Sequence, residues 1–175
     1  RVDFGVGIGW LKEEFENLGM DFGTRAPRTE EYLLAMKALW SDGVAEFTGE
    51  SVTLKPCHFN PKPVQRPHPP IIFGGESDPA MRRVARLGDG WYGYDLTPED
   101  LRGRLNSLDA AMAGSGRRRA DIQVIVGPNR HPVTPQTLAD YAAEGADQLV
   151  VPVFARSVAK LEQRLDALMA MQPAA

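Results

Sequence analysis

Pro69-Pro70-Ile71-Ile72-Phe73-Gly74-Gly75-Glu76-Ser77-Asp78-Pro79-Ala80 is the stretch from which the fold can be ordered. Its apolar run is too short for a helix and stops at two glycines. Met81, Val84, Ala85 and Leu87 then recur at helical spacing behind a capping-type segment. The stretch therefore predicts a buried strand, a tight turn and a helix N-terminus. Backbone N–H groups at such a junction point outward with the positive end of the helix dipole, an arrangement suited to a phosphate. Glycine permits positive φ and lets an anion approach the backbone. A plain strand-to-helix turn makes the same pattern, so the residues alone leave both readings open.

The pattern recurs downstream. Asp89 to Tyr94 predicts a short strand, and Thr97-Pro98-Glu99-Asp100 opens a helix with Leu101, Leu105, Leu108 and Met112 on its buried face. Asp121 to Pro128 alternates as a strand does, and Thr134-Pro135 begins a helix that ends near Gly145. Gln148 to Phe154 predicts a nearly continuous apolar strand, followed by a helix capped by Ser157 with Val158, Leu161, Leu165 and Leu168 facing inward.

Upstream, Val2 to Gly9 is a strand with glycine at 5, 7 and 9. One face of it carries no side chains, a costly choice in a plain strand. Either a flat group lies against that backbone, or the strand tapers into a barrel interior. Leu11 to Gly19 makes a short helical turn ended by glycine, and Thr29-Glu30-Glu31 opens a helix that Ser41-Asp42-Gly43 stops. Residues 44–70 hold a hairpin-like insertion, two short β segments around Gly49-Glu50, and then a proline-rich extended connection from Asn60 to Pro70.

Five strands, each followed by a helix, imply an α/β fold with a parallel sheet and right-handed crossovers. Either a doubly wound sheet or a (β/α)8 barrel fits. Five units cannot close an eight-stranded barrel, so a barrel requires about three more units before Arg1. On this reading residues 1–175 form a single domain.

The bulk properties exclude more than they assign. A net charge of −3 and a pI near 5.6 speak against nucleic acid or an anionic membrane as partner. Arg117-Arg118-Arg119 follows Gly114-Ser115-Gly116 and is expected to be solvated surface. The single Cys57 precludes an intramolecular disulfide and suits a reducing, cytoplasmic setting. His58, His68 and His131 lack metal-ligand spacing, so no metal is expected. No apolar run approaches the roughly 20 residues of a membrane span. No residue presents itself as a catalytic acid or base. Glu13, Glu14 and Glu76 lie near strand ends, where acids usually serve as capping charges. Trp10 and Trp91 at strand ends are expected to pack at core or rim.

A series of motifs, in order and at consistent spacing, resembles the bacterial luciferase-like monooxygenase superfamily in its deazaflavin F420-associated branch. They are Gly5-Val6-Gly7-Ile8-Gly9-Trp10 with Glu13-Glu14-Phe15, Arg28 to Tyr32, Phe47 to Glu50, Asn60 to Gln65, Pro69-Pro70-Ile71, Gly74-Gly75, and Arg86 to Trp91. The resemblance implies a TIM-barrel-like (β/α)8 fold, here an incomplete barrel lacking its N-terminal units. It implies F420, or alternatively FMN, as cofactor, with hydride transfer to or oxygenation of a small organic substrate. By the same match Gly74 and Gly75 belong to a phosphate-binding loop to which Ser77 adds a hydroxyl, and Gly7 and Gly9 form the floor under the ring system. Catalytic residues stay unassigned. A truncated or degenerate cofactor-binding relative without chemistry is the alternative, and pairing of open sheet edges makes a homo-oligomer the expected partner state.

Overall fold

The computed structural model describes residues 1–171. The chain divides into two compact units, one from Arg1 to Ile71 and one from Ile72 onward.

In the first unit, strand β1 (Phe4–Val6) is shorter than the expected Val2 to Gly9, because Gly9 at φ 81° turns the chain. Helix α1 (Lys12–Asn17) follows, and Gly19 at φ 64° carries the chain beyond its end. Helix α2 (Arg25–Trp40) begins four residues before the expected Thr29 start. A 3-10 turn at Phe22–Thr24 feeds directly into it. Pro27 falls in the first turn, where a backbone N–H has no intrahelical acceptor to lose.

Strands β2 (Ala45–Thr48) and β3 (Thr53–Cys57) pair antiparallel where the sequence predicts a hairpin. Their turn is held from α2. The Glu31 carboxylate accepts the backbone N–H groups of Ser51 at 2.7 Å, Glu50 at 3.0 Å and Val52 at 3.2 Å. These bonds, that of Ser51 foremost, hold Glu31 below the ordinary carboxylate range. A Cβ on Gly49 would run into the same carboxylate. Two motifs distant in sequence thus form one clamp.

The proline-rich run is anchored likewise. Lys62 Nζ donates to the Leu39 carbonyl in the last turn of α2 at 2.8 Å. The Gln65 amide exchanges two hydrogen bonds with the Val2 backbone, at 2.7 and 3.0 Å. Phe4 donates its N–H to the Pro70 carbonyl at 2.7 Å, and its ring meets Trp40 edge-on at 5.6 Å.

In the second unit, which begins one residue into β4 (Ile71–Gly74), the strands β4, β5 (Gly90–Tyr94), β6 (Gln123–Gly127) and β7 (Gln148–Leu149) are neighbours in that order, all parallel. The register aligns Phe73, Trp91 and Val124 on one face, all fully buried. On the other face Ile72 and Ile125 are also buried, as parallel sheets require. Helix α3 (Asp78–Leu87) buries Met81 and Val84, and α4 (Pro98–Met112) buries Leu101, Leu105 and Leu108. Each such side chain contributes about 1.5–3 kcal/mol. Helix α5 (Pro135–Ala143) adds Tyr141, whose hydroxyl donates to the Leu96 carbonyl at 2.5 Å. Helix α6 (Val158–Met169) closes the described chain. The side chains of Ser77, Thr97, Thr134 and Ser157 cap α3 to α6.

Two expectations need correction. Val151 to Phe154 lies outside the strand that runs only through Gln148–Leu149, since apolar composition alone supplies no ladder partner. Arg117 is not solvated surface. Its guanidinium donates to the carbonyls of Ala85 at 2.9 Å and Gly88 at 2.7 Å, closing the C-terminus of α3. Arg118 pairs with Asp121, and burial pushes the Arg119 guanidinium below its ordinary pKa.

Candidate functional site

The turn after β4 requires glycine on two counts. Gly75 has φ 99°, and a Cβ there would sit 3.3 Å from that of Ala80. Its carbonyl accepts the indole N–H of Trp91 at 2.9 Å, and Trp91 is 0% exposed. The next carbonyl, of Glu76, accepts Arg104 Nη1 from α4 at 2.8 Å. Glu76 itself accepts the Tyr94 backbone N–H at 2.9 Å through Oε1. The turn is thus fixed by its carbonyls and by one side chain. Ser77 Oγ accepts the Ala80 N–H at 3.4 Å and keeps its own O–H as a donor. Asp78 in the first turn of α3 competes with an anion for the helix terminus, and Arg104 stands 3.7 Å from it as counter-charge. Gly74, Gly75 and Ser77 are therefore brought together at the start of α3. Arg104 and the bonding of Trp91 were missed by sequence reasoning, because both reach the turn from distant elements.

Gly7 and Gly9 lie in the first unit and differ from each other. Beside Gly7, as beside Gly5, no heavy atom lies within 4 Å of a built Cβ, so the backbone face there is bare. At Gly9 that space is occupied by the Phe15 ring, 2.7 Å from the built Cβ, and φ 81° makes it a turn glycine. Both line one recess of about 370 Å³. Trp10 beyond them is 83% exposed. Glu13 and Glu14 occupy the first turn of α1.

The loops after β5 and β6 carry a cluster that sequence reading did not single out. Asp95 (φ 56°) and Asn129 (φ 34°) are left-handed without being glycine. The Asp95 side chain, 5% exposed, accepts the Arg130 backbone N–H at 2.9 Å and pairs with the Arg130 guanidinium. The backbone bond first, then the guanidinium, hold its carboxyl below the ordinary range. His131 Nε2 lies 3.2 Å from the Asp95 carbonyl. Polar residues directly behind apolar strands, Tyr94-Asp95 and Asn129-Arg130-His131, are the signal that could have found them. In α/β folds such C-terminal strand ends are where ligands bind. Among the described residues no group of three or more His, Cys, Asp or Glu is placed to hold a metal ion, and no helix is long and apolar enough to cross a membrane.

A family model described as luciferase-like monooxygenase matches residues 1–172. An uncharacterized protein of Mycobacterium tuberculosis is 35% identical over 160 residues, covering 90% of this chain and 54% of that protein. The FMNH2-dependent dimethylsulfone monooxygenase of Pseudomonas putida is 30% identical over 119 residues, 66% of this chain and 33% of that enzyme. The chain thus spans about half the length of the mycobacterial relative. Among solved structures, an F420-dependent secondary alcohol dehydrogenase in complex with an F420-acetone adduct superposes with a TM-score of 0.79 at 14% identity, over 98% of this chain and 69% of that one. The F420-dependent tetrahydromethanopterin reductase of Methanopyrus kandleri gives 0.69 at 12% identity, over 91% and 70%. These two likenesses concern the fold, which is that of the luciferase-like barrels, with this chain an incomplete one.

Proposed function

The chain belongs to the luciferase-like monooxygenase family, and from that premise we propose that it is the cofactor-holding part of an F420-dependent oxidoreductase acting on a small organic substrate. The observation that carries this reading is the locked glycine turn at the N-terminus of α3. Its backbone donors and the Ser77 hydroxyl receive a phosphate, and the bonds from Trp91 and Arg104 keep the turn from reorganising when one arrives. The bare backbone at Gly7 suits a flat ring, since no side chain stands in the way. Gly9 serves as the turn that ends this face, with Phe15 packed on it. When bound, the cofactor would supply hydride transfer, or oxygenation in the case of FMN, and the chain's own part is to bind and orient it. Catalytic residues are left unassigned, and a cytoplasmic homo-oligomer is part of the proposal.

FMN is the second reading, favoured by the FMNH2-dependent relative at 30% identity. A degenerate relative that binds without turnover is the third. Titration of the purified chain with F420 and with FMN, each oxidised and reduced, separates them. Micromolar F420 binding with FMN at least tenfold weaker is expected. The reverse order moves the assignment to FMN, and binding of neither overturns the cofactor reading.

A further inference from the structure

We infer that Tyr92 and Asn129, at the ends of β5 and β6, bind the carbonyl oxygen of a neutral small substrate. The parallel register sets Tyr92 between Gly74 of β4 and Ile125 of β6, on one face of the sheet. Its ring runs towards the C-terminal end of β6 and lies over Gly127. A Cβ at 127 would collide with the Tyr92 hydroxyl and stand 2.8 Å from Cζ, so the ring takes the place of a side chain there. Among the described residues this hydroxyl has no hydrogen-bond partner, and it is not among the buried orphan groups, so solvent reaches it. Tyr94, two residues on along the same face, is 62% exposed, which leaves the strand end open.

Asn129 supplies the second, independent observation. Its left-handed backbone, φ 34°, folds the side chain back, and Nδ2 comes within 3.2 Å of the same point above Gly127. One N–H of that amide donates to the Gly127 carbonyl at 3.0 Å, and the other remains to be used. The neighbouring strand end fixes this conformation. Asp95, also left-handed, donates its N–H to the Gly127 carbonyl at 2.6 Å and takes the Arg130 N–H and guanidinium on its carboxylate. The two loops thus lock each other around a phenolic O–H and an amide N–H, and a carbonyl oxygen has a lone pair for each. Charge selects a neutral ligand. Asp95 and Arg130 neutralise one another, and the Glu76 carboxylate, held on the Tyr94 N–H, repels an anion. Ile125 beside Tyr92 and the side-chain-free Gly74 suit an apolar body.

The inference rests on the proposed function only in calling this ligand a substrate, and its test contains no cofactor, so it and the F420 titration fail independently. The 175-residue chain is titrated with cyclohexanone and with cyclohexanecarboxylate, an anion of similar body, and the backbone amide shifts of Gly127 and Asn129 are followed. Millimolar cyclohexanone binding that moves both amides is expected, with the carboxylate about tenfold weaker or more. Tyr92→Phe should weaken cyclohexanone about fivefold, the worth of one neutral hydrogen bond. Its thermal midpoint should stay at the parent value, since the lost hydroxyl bonds to nothing in the protein. Asn129→Gly, which keeps the left-handed backbone and removes the amide, should weaken binding about threefold. Unmoved Gly127 and Asn129 amides at 100-fold excess of cyclohexanone over protein, carboxylate binding as tight as the ketone, or parent-like affinity in Tyr92→Phe each overturns the proposal.

Discussion

The two units are held together by different means. In the second, fully buried apolar side chains from sheet and helices make the core, with Phe73, Trp91, Leu108 and Val124 at or near zero exposure. In the first, α2 buries only Leu33 and Ala35, and much of the order comes from polar clamps: Glu31 on the hairpin turn, Lys62 on the end of α2, and Gln65 on Val2. Apolar burial is non-directional and tolerates small shifts. A clamp fixes particular backbone groups and fails when one partner is lost. The difference teaches why bare glycine backbone occurs in the first unit: fewer of its surfaces are committed to a core.

Four measurements break or sharpen that contrast. Leu108→Ala, in the second unit, should cost about 2–5 kcal/mol in denaturant unfolding, since the cavity it leaves has no solvent to refill it. A loss below 1 kcal/mol would erase the distinction. Gly75→Val should cost about 1–2 kcal/mol for forcing a side chain into a left-handed position, and should weaken cofactor binding at least a hundredfold. Parent-like affinity in the folded variant removes the phosphate from this turn.

Glu31→Gln tests the clamps through pH. The folded carboxyl lies below its ordinary value, so its contribution is present above about pH 4.5 and lost as pH falls through the folded pKa. The Tm gap between parent and variant should therefore be open at pH 7 and narrow as pH falls below about 4.5. A gap that stays constant with pH means that charge is not what holds the turn. Gly7→Ala should be the mildest for stability, within about 0.5 kcal/mol, because nothing lies within 4 Å of the added methyl. A cofactor affinity unchanged by that methyl would take Gly7 out of the ring site.

What was legible in the sequence follows the range of the interaction that produces it. Helix starts at Ser77, Thr97, Thr134 and Ser157 depend on a side chain and an N–H three residues apart, and all were readable. The strands around Phe73, Trp91 and Val124 were readable because burial on both faces leaves an apolar run. The end of β7 was not, because a strand exists only where a neighbour pairs with it. Arg117, Arg104 and the indole of Trp91 act across 29, 28 and 16 residues respectively, a separation at which local pattern carries no signal. In the candidate site, glycine placement was visible from the start, whereas what braces the glycine turn came only with the fold.

The bond between the Trp91 indole and the Gly75 carbonyl also makes the turn an optical one. Trp91 is sealed from water, Trp10 is almost fully exposed and Trp40 is half-buried against Phe4 and His68, so in a Trp40→Phe variant the blue component of the emission belongs to Trp91. An anion drawn against the turn polarises the carbonyl to which that indole is bonded. Occupancy can thus be followed from the protein's own light, without a label.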